Sequence, residues 1–363
     1  LLRVVRACLQ IPDGALGGIG VRIAVIDSGA DVTHPDLAER IDRDASRSFL
    51  ALSADALHDS VGHGTHIAGA IAGDGRAGPA GMRGVAPAST LVICRATADG
   101  RIDELRIAQA VEYAIECGVD IINFSAGAYG SHVGPAPWTW GSNALIDDAF
   151  EEAGRRGILC VVAAGNGGPA PGSISRPGGL ESVLTVGAVD PHNTPLRVAE
   201  QSGRGPFRWR NGGGIGPKRY DPFIDRGVRE LRKPDVVAPG VDVYSARSCE
   251  APSIENTRFL DPYDDRSLYY RESGTSQATA AASGFAALAL EQLRIRSVPL
   301  SPNPAAVLSA ILRVSTAALK HEDANSAGHG LLLWPIMMAT VEDFAASAAF
   351  RATVMNGGQL HKA

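Results

Sequence analysis

A chain of 363 residues with 45% hydrophobic and 20% charged side chains has the composition of an ordinary globular protein able to bury a sizeable core. Its net charge of −5 gives no whole-chain reason to expect a nucleic-acid partner. No run of about 18 apolar residues marks a membrane span, and no basic segment with an apolar run and cleavage site opens the chain. The first residue is Leu1 rather than Met, which leaves open an upstream segment removed earlier. The five cysteines, Cys8, Cys94, Cys117, Cys160 and Cys249, show no CxxC spacing and cannot all pair. Cys94 and Cys160 lie inside apolar runs, so buried thiols are expected, and a reducing, cytoplasmic compartment is favoured over secretion.

In chain order, β-rich apolar runs occur at Val21–Ile26, Leu91–Cys94, Val119–Phe124, Ile158–Val162 and Val183–Val186. They are nearly continuous rather than alternating, which predicts strands of a parallel sheet covered on both faces. Helical stretches fall at His63–Ala72, Glu104–Cys117, Ala144–Arg156 and Ser276–Ile295. This alternation predicts an α/β fold, a three-layer doubly wound sandwich with a mainly parallel central sheet. Two stretches interrupt it: 203–232 is rich in Gly, Pro and Arg, and 248–272 carries Glu250, Glu255, Asp261, Asp264 and Asp265. Both are expected to be surface loops. Solvated or mutually paired loops and a substrate-selecting rim are the alternatives. A helix from Met337 to Ala349 and a frayed tail close the chain.

Ligands of open parallel sheets bind at the carboxyl ends of strands. Asp27, Ser125-Ala126-Gly127 and Asn166 each directly follow an apolar run, while His63 and Ser276 open helical stretches. An unassisted serine hydroxyl is a poor nucleophile, and attack on an amide needs a neighbouring base and a buried acid that orients it. Taken singly, Asp27 reads as a turn or cap residue, His63 as a loop histidine and Ser276 as part of a common Gly-Thr-Ser loop. Taken together, Val25-Ile26-Asp27-Ser28-Gly29, Gly62-His63-Gly64-Thr65-His66, Ala163-Ala164-Gly165-Asn166-Gly167 and Gly274-Thr275-Ser276-Gln277-Ala278 form an ordered set. That set resembles the motifs of the subtilisin-like serine proteases, the subtilase family, with resemblance running from about Gly20 to Thr316.

The resemblance implies a serine endopeptidase acting on extended polypeptides through a covalent acyl-enzyme. Asp27, His63 and Ser276 would be its triad and Asn166 its oxyanion donor. It also implies substrate-pairing edges at Ser125-Ala126-Gly127 and Ala98-Asp99-Gly100, with Ala164, Gly165 and Ser175 completing the subsites. Ala126 stands where leucine is usual and enlarges an apolar subsite. The Arg176-Pro177 bond matches one that is cis in the family, and His66 reads as a structural helix residue. Gln277 replaces the usual methionine, which predicts activity less sensitive to peroxide.

The segment from Gly73 to Arg83 holds one carboxylate, Asp74, too few for the family's calcium loop. Asp36 matches a calcium ligand of some relatives but lacks its partners, and no zinc spacing is present. No metal site is therefore expected and no cofactor is required, with a weak structural calcium left open. The domain reading is an N-terminal extension over 1–19, a catalytic domain over 20–335 with the two inserted loops, and a C-terminal helix and tail over 336–363. Broad degradation and selective processing of one precursor imply the same catalytic residues. A peptide macrocyclase or other transacylase, and a non-catalytic peptide-binding homologue, are the alternatives. No nucleic acid or membrane partner is expected, and the oligomeric state stays open.

Overall fold

The apolar runs become adjacent strands because each buries side chains on both faces. In the computed structural model, which describes residues 2–50, 55, 57–78, 82–98, 102–127, 144–210, 228–251 and 268–355, helix α1 (Leu2–Cys8) comes first. It is followed by β1 (Arg22–Asp27), β2 (Arg47–Ser48), α2 (His63–Ala72), β3 (Thr90–Arg95), α3 (Glu104–Glu116), β4 (Ile121–Phe124), α4 (Ala144–Arg155) and β5 (Leu159–Ala163). Next are β6 (Val183–Asp190), β7 (Arg197–Val198), β8 (Phe207–Arg210), β9 (Val228–Leu231), β10 (Val236–Pro239), β11 (Val243–Ala246) and β12 (Tyr269–Glu272). The chain continues through α5 (Thr275–Ile295), α6 (Pro304–Val314), β13 (Thr316–Ala317), α7 (Ala324–Ala327), β14 (Leu331–Leu332), α8 (Trp334–Ala346) and α9 (Ala348–Met355).

The main sheet has the order β13-β14-β10-β6-β5-β4-β1-β3-β2, with β7 paired to β6. It is parallel except where β13 meets β14 and β7 meets β6. In β1 the side chains alternate between two cores, as a pleated strand requires. Ile23 and Val25 join Ile67, Ala278 and Phe285 on the face covered by α2 and α5. Ala24 and Ile26 join Ile107, Val111 and Phe150 on the face covered by α3 and α4. The expected three-layer arrangement is the one observed.

Helix α3 forms because its apolar positions Ile107, Ala110, Val111 and Ala114 fall on one stripe and Asp103 caps its start, accepting from the Leu105 and Arg106 amides. Helix α5 differs: every residue from Gln277 to Leu293 is buried. Its many alanines favour helix and are small enough for a helix to run between the sheet and α2. Burial of Phe285 alone contributes about 2–3 kcal/mol.

The remaining differences from the sequence reading have local causes. The C-terminal helix starts earlier, at Trp334, and breaks at Ser347, whose hydroxyl accepts the Phe350 amide at 3.1 Å and starts α9. Within the expected N-terminal extension, Val5 and Leu9 are buried in the core, Arg6 donates to the carbonyls of Gly84 and Val85, and the Trp334 amide donates to the Leu9 carbonyl. Within 203–232, β8 pairs antiparallel with β9; within 248–272, the aromatic Tyr269-Tyr270 segment becomes β12, antiparallel to β11. Residues 211–227 and 252–267, and with them any pairing of opposite charges between the two stretches, lie outside the described residues. All five cysteines are free thiols, and burial raises the pKa values of Cys94 and Cys160. Among the described residues no helix is long and apolar enough to cross a membrane.

Candidate active site

Three neighbouring strands, β1, β4 and β5, end on the same edge of the sheet. Asp27 is the last residue of β1, Ser125 follows β4, and Asn166 lies just beyond β5. His63 is the first residue of α2 and Ser276 the second of α5, and these helices pack against each other on one face. The start of α2 can approach the turn after β1 only because both sides lack a side chain. A Cβ on Gly64 would lie 2.1 Å from the Gly29 carbonyl oxygen, and Gly29 itself has φ +117°.

The Asp27 carboxylate is buried. Its Oδ1 accepts the Ser28 amide at 2.7 Å and stands 2.8 Å from His63 Nδ1, with Oδ2 at 3.0 Å from the same nitrogen. An ionised carboxylate only accepts, so these contacts assign the ring proton to Nδ1 and leave Nε2 for another partner. The Ser276 hydroxyl donates to the Ser125 carbonyl at 2.7 Å, and the Ser125 hydroxyl donates back to the Ser276 carbonyl at 3.0 Å. Asn123 donates to Ser125 Oγ at 3.0 Å and accepts from Ser283 at 2.9 Å, which anchors this reciprocal pair to β4 and α5. In this rotamer Ser276 bonds to Ser125 rather than to His63.

Asn166 is exposed, and its amide is oriented by Thr275. Oδ1 accepts from the Thr275 amide at 2.9 Å and the Thr275 hydroxyl at 3.1 Å, while the Gly165 amide donates to that same hydroxyl. Nδ2 then lies over Gly274, where a Cβ would come within 3.1 Å of it. The Ala164 carbonyl accepts the Ser175 amide at 2.8 Å. The buried Ser175 hydroxyl faces Gly127 so closely that a Cβ there would lie 2.2 Å away. Ser125, Ala126, Gly127, Ala164, Gly165 and Ser175 thus meet around the ends of β4 and β5. The Arg176-Pro177 bond is cis, and Arg176 forms an ion pair with Asp147 of α4. Ala98 is exposed beyond the end of β3; Asp99 and Gly100 lie outside the described residues.

The electrostatics centre on His63. Burial opposes its protonation, but the charge and hydrogen bond of Asp27, with Glu272 and Asp59 beyond, prevail and push its pKa up to about 9. His66 is fully buried, with Nε2 3.0 Å from the Val243 carbonyl, and burial lowers its pKa. These are the surroundings expected of a structural histidine.

Asp59 is a residue the motif reading missed. Fully buried, it accepts from Ser28 Oγ, the Val61, Gly62 and Thr65 amides and Thr65 Oγ1. Gly62 precedes α2 without a capping side chain, so Asp59 supplies the cap from further upstream. An Asp shortly before a glycine-flanked helix start was the available signal.

Both oxygens of Asp36 accept bonds within the protein, from the Ala77 amide at 2.9 Å and the Tyr269 hydroxyl at 2.6 Å. Among the described residues no group of three His, Cys, Asp or Glu side chains is arranged to hold a metal ion.

A family model described as the Subtilase family, Peptidase S8, matches residues 18–330. The chain is 32% identical over 332 residues to serine protease AprX of Bacillus subtilis (strain 168), covering 87% of this chain and 65% of that protein. It is 32% identical over 284 residues to the subtilisin of Bacillus sp. (strain TA39), covering 75% of this chain and 56% of the relative. The chain therefore spans less than two-thirds of the length of either. Among solved structures, sphericase superposes with a TM-score of 0.66 at 26% identity, covering 91% of this chain and 96% of its own. With its sheet order, its strand-end cluster of Asp27, His63, Asn166 and Ser276, and a family match over most of its length, the chain belongs to the subtilase family.

Proposed function

We propose that the protein is a serine endopeptidase that hydrolyses extended polypeptides through Asp27, His63 and Ser276, with Asn166 as oxyanion donor. The observation that carries this reading is the contact of His63 Nδ1 with both Asp27 oxygens at 2.8 and 3.0 Å. It leaves Nε2 as a proton acceptor at the strand edge where Ser276 and Asn166 also lie. His63 takes the Ser276 hydroxyl proton as Oγ attacks the scissile carbonyl. Asp27 holds the imidazole tautomer and stabilises the imidazolium. Asn166 Nδ2 and the Ser276 backbone amide, at the start of α5, donate to the developing oxyanion. His63 then passes its proton to the leaving amine. Water repeats the sequence on the acyl-enzyme and restores Ser276. Protein groups supply every step, so no cofactor takes part.

The substrate backbone pairs as an added strand between 125–127 and the segment beginning at Ala98. Ala126 and Ser175 shape the pocket for the residue before the scissile bond. Cleavage of a diverse unstructured peptide library by the native chain and by Ser276→Ala, with mass spectrometry of all products, tests the reading. Serine-dependent cuts at many sites mean a broad protease, and cuts confined to one motif mean a processing enzyme. Cyclic or transferred products mean a transacylase, and no serine-dependent product overturns the catalytic reading.

A further inference from the structure

Glu272 is a carboxylate beside the site that the proposed chemistry does not use. It ends β12, opposite Val243 of β11, a short step before Ser276. Its Oε2 accepts from Gln277 Nε2 at 2.8 Å, and Gln277 is itself buried directly after Ser276. The same oxygen lies 3.9 Å from His66 Nδ1. Glu272 therefore sits on the α2 side of Ser276, the side of His63, whereas Ser125 and Asn166 flank Ser276 from β4 and β5.

Among the described residues no Arg or Lys neutralises it; the cation its charge favours is protonated His63, and general-base action needs that ring neutral. Arg271, its neighbour in β12, lies over the Tyr244 ring and 3.8 Å from Asp242, on the other face of the strand pair. No Arg or Lys among the described residues forms an ion pair with Glu272, and Asp27 and Asp59 add further negative charge around His63. Burial lowers the pKa of His66, whose Nδ1 lies 3.9 Å away. About a quarter of the Glu272 side chain remains exposed. Gln277 donates to one carboxylate oxygen and the Tyr270 side chain is hydrogen-bonded to the same carboxylate, so neutral groups orient it without cancelling its charge.

His63 must hand its proton to the leaving amine, so the half of the substrate that departs passes on the His63 side. We propose that Glu272 is a specificity-determining residue that selects a lysine or arginine side chain on the residue following the scissile bond. The proposal rests on the serine endopeptidase reading and deepens it. A cation arriving there meets a pre-oriented carboxylate with no Arg or Lys partner among the described residues, whereas an acidic side chain meets like charge. The attraction weakens as salt rises because the site is partly open to solvent.

The test uses the full chain and three internally quenched peptides built on the fastest-cleaved library sequence, differing only in Arg, Ser or Glu after the cut. At low salt, kcat/KM for the Arg peptide is expected to exceed that for the Glu peptide by about tenfold. Glu272→Gln is expected to reduce the ratio to about twofold, and Glu272→Lys to invert it. Thermal melting of each variant reports folding independently. An active native chain with no preference for Arg, or a preference that survives Glu272→Gln, overturns the proposal alone. Absence of Ser276-dependent cleavage of any of the three peptides overturns the endopeptidase reading and this proposal with it.

Discussion

The Ser28 hydroxyl donates to Asp59 Oδ1 at 2.8 Å, and this bond ties the turn after β1 to the turn before α2. Ser28 Oγ also accepts the Gly64 amide at 2.9 Å, so the residue next to Asp27 is held by the residue next to His63. The distance between acid and imidazole is thereby set by backbone-anchored neighbours as well as by their own contact.

Removing that brace has a defined cost. Asp59→Ala leaves the donors of Ser28, Gly62 and Thr65 without their buried acceptor, a loss of about 3 kcal/mol or more. Urea unfolding is expected to show it, with kcat lowered more than KM is raised. Asp59→Asn, which keeps one acceptor oxygen, is expected to lose less on both measures.

The pH profile follows from His63. General-base action needs the neutral ring, so kcat/KM is expected to rise with pH toward a plateau near or above the raised pKa of about 9. Glu272→Gln is expected to move the midpoint down. Asp27→Asn is expected to lower kcat by about 10⁴-fold, the scale on which such aspartates act in serine proteases. The stability linkage has a definite sign: the folded pKa lies above the unfolded value of about 6.5. The contribution of protonated His63 is complete below that value and is lost as pH rises through about 9. Denaturant midpoints of the native chain and His63→Ala between pH 6 and 10 measure it.

Asn166 and Gly274 form a second pair to test. Asn166→Ala is expected to lower kcat by about 10²–10³-fold with little change in KM, as loss of one oxyanion donor does. Gly274→Ala places a methyl 3.1 Å from both Asn166 Nδ2 and Gln277 Oε1. It is expected to lower kcat in the same direction by a smaller factor, about tenfold, through displacement of that amide. Single-turnover kinetics separates these effects from changes in substrate binding.

Away from the site, Lys233 Nζ donates to Asp235 Oδ2 at 2.7 Å and to the Val183 carbonyl at 3.1 Å, while Arg313 reaches Oδ1 at 3.0 Å. Burial alone would raise the Asp235 pKa, but Lys233 and Arg313 hold it below the ordinary value. Its stabilising contribution is present at neutral pH and is lost as pH falls through that lowered pKa. Lys233→Met is expected to cost about 3 kcal/mol in urea unfolding while leaving Ser276-dependent turnover per folded molecule unchanged.

Sequence reasoning reached the five central strands because a strand buried on both faces must be apolar nearly throughout. It singled out Asp27, His63, Asn166 and Ser276 through the resemblance of their ordered motifs to those of the subtilases, and the fold brings these residues to one edge of the sheet. Asp59 escaped because its role depends on Ser28, 31 residues away, and a lone carboxylate has no period to betray it. Arg6 escaped for the same reason, since its acceptors lie 78 and 79 residues distant. The division of 334–355 into two helices turns on one serine hydroxyl capping α9, a local competition that apolar periodicity does not register.

Helix α5 carries Ser276 at its start and then threads the middle of the core against β4, β5, β6 and β10. On a ribosome, a chain that has not yet released this helix has no nucleophile and an uncovered sheet. The same synthesis step supplies the proposed nucleophile and completes the framework that positions it.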